Sequence, residues 1–208
     1  MEFQELVEQF KPAEGSVIVT VAEDSDATYI VQKDLLINAS KVFSKKLSGF
    51  FDQSSRANLE LPNTDKTTFQ IFLFWLRKER LPKEESGFRD MDCPDDEVET
   101  KEMLVRLWSF SNKIHVPKLQ NAAMRFLLKA VPKLLPSADL MRLAVETTPE
   151  ESPVVKALLA ELAFDCYQGG GLDEAFAAVP GVWGHMVQLV QRSEQGEVPR
   201  SVKHLDPE

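Results

Sequence analysis

The sequence predicts an α+β protein, with a small sheet of three short strands set among helices and a C-terminal third that is wholly helical. Two observations carry the strands. Residues 16–22, SVIVTVA, and 27–32, ATYIVQ, are dense in β-branched side chains and flank the polar turn Glu23-Asp24-Ser25-Asp26, so 16–32 reads as a hairpin. Residues 57–61, ANLEL, alternate polar and apolar and close at Pro62, as a third strand does. The third observation carries the helices: through most of the remainder, apolar residues recur at three- and four-residue spacing.

In chain order, Phe3, Leu6, Val7 and Phe10 fall at i, i+3, i+4 and i+7, one face of a short helix that Pro12 and Gly15 stop. After the hairpin, helices are expected near 34–40 and 41–49, with Gly49 ending the second. Thr64 or Asp65 can cap a long helix through Arg77, whose buried stripe is Phe69, Phe72, Leu73 and Leu76, flanked by Trp75. Residues 83–99, KEESGFRDMDCPDDEVE, are acidic and aperiodic and read as a solvated loop. Thr100 can cap a helix carrying Met103, Leu104, Leu107, Trp108 and Ile114. Pro117 suits the first turn of the next, where a missing N–H is harmless. That helix buries Leu119, Ala122, Ala123, Phe126 and Leu127. Pro132 and Pro136 mark a boundary, and helices follow near 137–147, 153–168, 172–179 and 181–193. Ser152-Pro153 starts the second of these and Gly169-Gly170-Gly171 ends it. The tail from Ser193 is polar and is expected to fray.

Composition narrows the function classes. The 208 residues are 43% hydrophobic and 27% charged, the ordinary balance of a globular protein. A net charge of −9 opposes general binding to nucleic acid or to an anionic membrane, both of which need Lys and Arg to meet phosphate. Glu2, Glu5 and Glu8 are foreign to a signal or transit peptide, and no apolar run approaches the roughly 18 residues of a membrane span. Two cysteines, Cys93 and Cys166, build no disulfide framework. An intracellular protein, cytoplasmic or nuclear, is expected.

The usual signatures of chemistry are missing. His115, His185 and His204 are scattered, as are the cysteines, without the spacing of a zinc site. The acidic stretch from Asp90 to Glu102 lacks the alternating pattern of a calcium loop. Gly181-Val182-Trp183-Gly184-His185 echoes a nucleophile elbow but holds no serine at its centre. Gly169 to Gly171 lacks the Lys-Ser or Lys-Thr of a phosphate loop. No catalytic, cofactor-binding or metal-ligating residue is therefore assigned, and no cofactor is expected; a hydrolase built on the helical C-terminal part is the remote alternative.

The stretch from Tyr29 to Phe51, YIVQKDLLINASKVFSKKLSGFF, resembles the BTB/POZ domain. Its strand there reads roughly F-x-V-H-K, and its next helices D-L-L-x-x-x-S-x-x-F-x-x-x-L. The matching positions are Tyr29, Val31, Gln32, Lys33, Leu35, Leu36, Ser40, Phe43 and Leu47. Residues 67–82, TTFQIFLFWLRKERLP, are similar to the family's x-x-F-x-x-F-L-x-W-L-Y-T-G-R-L-P segment, in the Trp-Leu and Arg-Leu-Pro form of fungal members. Residues 107–127 resemble its L-Y-x-L-A-D-K-L-x-I-P-x-L-Q-N-x-A helix pair through Lys113, Pro117, Leu119, Gln120, Asn121 and Ala123. Residues 147–165 are similar to a T-P-E-G-S-P-L-R-x-L-L-V-D segment that follows the domain in many fungal proteins. The collinear order of the four pieces gives the match its weight.

The resemblance implies a small three-stranded sheet capping a helical cluster over 1–132, an α-helical extension over 133–193 and a flexible tail over 194–208. It implies non-catalytic protein binding, with a second copy of the chain and a cullin scaffold of a ubiquitin ligase as partner classes. A scaffold without ligase contact is the alternative. The chain departs from the family pattern in two places. Ser16 and Gln32 replace an Asp and a His that lie near the family's dimer centre, and Arg77-Lys78-Glu79 replaces a Tyr-Thr-Gly turn. The candidate interface comprises the Phe3, Leu6, Val7 and Phe10 stripe, which either covers the core or docks on a partner. It also takes in Leu35, Leu36, Val42 and Phe43, which lie in or behind a dimer surface or are plain core. Phe88 and Met91, apolar in a charged loop, either anchor a partner or tuck back.

Overall fold

The computed structural model describes residues 15–21, 27–48, 58–82, 97–131, 135–171, 173–194 and 201–202. Contacts divide the chain into two compact units, one of residues 1–95 and 107–122, the other of residues 96–106 and 123–208. The division passes within two helices.

In the first unit, β1 (Ser16–Val21) is the middle of a three-stranded sheet of order β2-β1-β3. It pairs antiparallel with β2 (Ala27–Gln32), from Ser16 opposite Gln32 to Val21 opposite Ala27, and parallel with β3 (Asn58–Leu61). The side-chain period of two sends Val17, Val19 and Val21 inward with Val31, Leu59 and Leu61. The β2 strand runs straight into α1 (Lys33–Ala39), and Ser40 alone separates α1 from α2 (Lys41–Leu47). Backbone of Ser40 is extended, while its hydroxyl accepts from the N–H groups of Val42 and Phe43, an N-cap that starts the second helix.

Asp65 rather than Thr64 caps α3 (Lys66–Lys78), accepting from the Thr68 N–H at 2.7 Å and the Thr68 hydroxyl at 2.6 Å. The expected stripe is too narrow. Phe69, Phe72 and Leu73 are buried, but so are Ile71, Phe74 and Trp75, whereas Leu76 is only half-buried. A helix buried on most sides behaves this way, because apolar residues then occupy every face. An aromatic cluster surrounds it: Phe69 lies 5.1 Å from Tyr29 and 5.9 Å from Phe72, and Phe72 lies 6.0 Å from Phe43 and 5.4 Å from Phe110.

The next helix, α4 (Glu97–Lys113), begins ahead of Thr100, which therefore sits inside it instead of capping it. Pro117 opens α5 (Pro117–Ala130) as expected; Leu119, Ala122, Ala123 and Leu127 are buried, Phe126 only partly.

In the second unit, Ser137 caps α6 (Ala138–Thr147) and Ser152 caps α7 (Pro153–Tyr167), with Pro153 at its first position. The Thr148 hydroxyl donates to the Ala144 carbonyl and lies 2.8 Å from the Ser152 hydroxyl, so the end of α6 and the start of α7 share one buried pair. The helix expected over 172–179 is a 3₁₀ turn over Glu174–Ala178. Five residues are too few for a stable α-helix, and the three-residue spacing of the buried Phe176 and Val179 suits the tighter turn. The α8 helix (Val182–Glu194) packs against α7. Within the expected flexible tail, the described residues Ser201 and Val202 are buried instead, hydrogen-bonded to Glu161.

Candidate interaction surface

The α1–α2 hairpin is held from below by Ser40. Its hydroxyl, 1% exposed, donates to the Ile114 carbonyl at 2.5 Å, a group left without an intrahelical partner at the end of α4. The sequence after it explains why that carbonyl is available. His115 is left-handed (φ 55), the Val116 N–H reaches back to Ser111 and the His115 N–H to Asn112, a Schellman ending.

On this hairpin Leu36 and Phe43 are core, 0% and 1% exposed, with Phe43 against Phe72. Leu35 and Val42 are half-buried and face outward in part. The structure thus separates four residues that the family resemblance grouped together. Phe3, Leu6, Val7, Phe10, Phe88 and Met91 lie outside the described residues.

The exposed large apolar residues that the sequence did not single out lie, among the described residues, in the second unit. Among the described residues, Leu135, Tyr167, Trp183 and Val187 are the large hydrophobic side chains that remain exposed, and Trp183 is 56% so. Trp183 and Val187 are four residues apart on α8, so they share a face beside the buried Val182 and Met186. Their spacing was visible in the sequence; which of the adjacent pairs faces inward was not.

On a different side of α8 from Trp183 and Val187, a cleft of about 370 Å³ between α7 and α8 is lined by the apolar Val155, Leu159 and Ala160 and by Glu150, Glu151, Lys156, His185 and Gln188. Lys156 hydrogen-bonds Glu151 at 2.6 Å and holds its carboxyl below the ordinary carboxylate range. A carboxylate so paired is a poor proton acceptor near neutral pH. Burial, and then the Asp165 carboxylate, push the Cys166 thiol up, away from the thiolate that a nucleophile or metal ligand requires. Among the described residues no group of three or more His, Cys, Asp and Glu stands together to hold a metal ion, and no helix is long and apolar enough to cross a membrane.

The described residues thus make an α+β chain with one small three-stranded sheet and eight α-helices. No model of a known protein family and no curated protein matches the sequence.

Proposed function

We propose that the chain is a non-catalytic protein-interaction module of the BTB/POZ type, self-associating through the first unit and presenting a second unit to another protein. As a substrate adaptor of a cullin-type ubiquitin ligase it would contribute surfaces and no reactive group. The order of elements supports the reading: a strand hairpin runs without a loop into a helical hairpin, and a third strand then returns beside β1. The signature residues Val31, Leu36, Ser40, Phe43 and Leu47 are the buried positions that hold this arrangement together. The observation that carries the binding function is the exposed Trp183–Val187 face on α8, since a large aromatic side chain left in water beside a second apolar residue is a typical binding anchor.

Light scattering of the full chain at tens of micromolar tests the first half, with twice the mass of the 23.5 kDa chain expected and a monomer mass overturning self-association. Co-purification with a cullin scaffold in mild salt tests the adaptor role, and its failure removes the ligase from the proposal. A Trp183→Ala change is expected to leave the mass unaltered and to weaken capture of the client by tenfold or more, about 1.4 kcal/mol or above.

A further inference from the structure

The α7 helix is apolar through most of its length, with Val154, Val155, Ala157, Leu158, Leu159, Leu162 and Ala163 all buried. Glu161 stands in the middle of this run and is 6% exposed. A carboxylate taken out of water needs hydrogen bonds in return. Here they arrive from forty residues further along the chain. The Ser201 hydroxyl lies 3.1 and 2.9 Å from the two carboxylate oxygens, and the Val202 N–H donates to Oε2 at 3.0 Å. Ser201 and Val202 are themselves 3% and 1% exposed.

A leucine at position 161 would continue the apolar run without any desolvation penalty, so packing alone does not account for the glutamate. What the carboxylate adds is a condition on its partner: it accepts one neutral hydroxyl and one backbone N–H. It also makes departure easy, because a carboxylate released from these bonds is solvated again by water. An apolar residue in the same place would resist exposure.

We propose that Ser201–Val202 is a reversible strap, keyed to Glu161 by a neutral hydroxyl, that covers this part of α7 when docked and bares it when released. A negative charge at position 201 is incompatible with the docked state, since it would face a buried carboxylate across hydrogen-bond distance and would have no proton to give. The strap stands independently of the family reading above.

Arg200 and Lys203 flank the docked pair, so trypsin cleavage after them reports docking directly in the full-length, folded protein. In the wild type these two bonds are expected to be cut slowly. Ser201→Asp is expected to speed cleavage at both by about tenfold or more, and Ser201→Ala by less, because it removes a donor without adding charge. Combining Ser201→Asp with Glu161→Gln is expected to restore slow cleavage, since the amide N–H group of glutamine can donate to the new carboxylate. The melting midpoint of the main transition should stay within about 2 °C throughout. Equal cleavage rates for wild type and Ser201→Asp would overturn the strap. So would loss of cooperative unfolding in Ser201→Asp, which would make the segment an integral part of the core.

Discussion

At Ser40 one hydroxyl serves two helix ends, accepting from the first turn of α2 and donating to the last turn of α4. Removing it forfeits an N-cap and leaves a buried carbonyl without that donor. Ser40→Ala is therefore expected to destabilise by about 2–3 kcal/mol, read from the urea midpoint, while Ser40→Thr keeps most of the stability. A loss below about 0.5 kcal/mol would show that the Ile114 contact contributes little. Tyr29 carries a second residue-scale prediction. Burial raises its phenol above 10.0, a hydrogen bond with Gln70 lowers it less, and the Asp65 carboxylate raises it further. The unfolded chain therefore loses this proton first. The stability that Tyr29 contributes is complete below about pH 10 and fades as pH climbs through the raised folded value. Tyr29→Phe should flatten that alkaline decline in urea titrations from about pH 9 to about pH 11; an unchanged slope would assign the decline to other groups. In the sequence Ser40 was a position matching the resembled pattern, at the end of the first of two expected helices. Its acceptor was not legible there, because periodicity holds no information about a carbonyl 74 residues away.

Among the described residues three helices end through a left-handed residue, and only one of these uses glycine. After α3, Glu79 (φ 50) turns back so that its N–H reaches Trp75; after α4, His115 (φ 55) does the same in the Schellman pattern. After α7, Gly169 (φ 93) bonds Cys166 and Gly170 bonds Asp165, the same Schellman pattern with the residue best suited to it. The glycine run was legible as a helix stop for this reason. His115 was not, since nothing about that residue announces positive φ; Glu79 stands where the resembled pattern has glycine, and it takes the left-handed conformation all the same. Substituting glycine is expected to stabilise each of those two positions by about 0.5–1 kcal/mol, and Gly169→Ala to destabilise by about 1 kcal/mol. Gly170→Ala should do worse in the same thermal melts, because its methyl would collide with the Asp165 carboxylate and sit 3.0 Å from the Asp165 carbonyl oxygen. A destabilised Glu79→Gly variant would mean that the glutamate side chain makes a contribution larger than its backbone strain.

At the scale of the whole molecule, the strand-and-helix order was legible because every strand and nearly every helix announces itself through local periodicity and caps. The exposed Trp183–Val187 face was not legible, because exposure of Trp183 rather than Val182 depends on how α8 meets α7, and neighbours on a helix look alike in sequence. Charge, by contrast, needs no fold to be read. With 24 basic and 33 acidic residues, two copies of the chain repel at long range. Any self-association must then rest on apolar contact that overcomes this repulsion. Raising salt from about 0.01 M to about 0.15 M shortens the screening length from roughly 30 Å to roughly 8 Å, which weakens repulsion while leaving apolar burial nearly untouched. The dimer fraction measured by sedimentation is accordingly expected to rise with salt. A fall over the same range would mean that opposite charges meet at the interface, and that the apolar route to self-association proposed above is the wrong one.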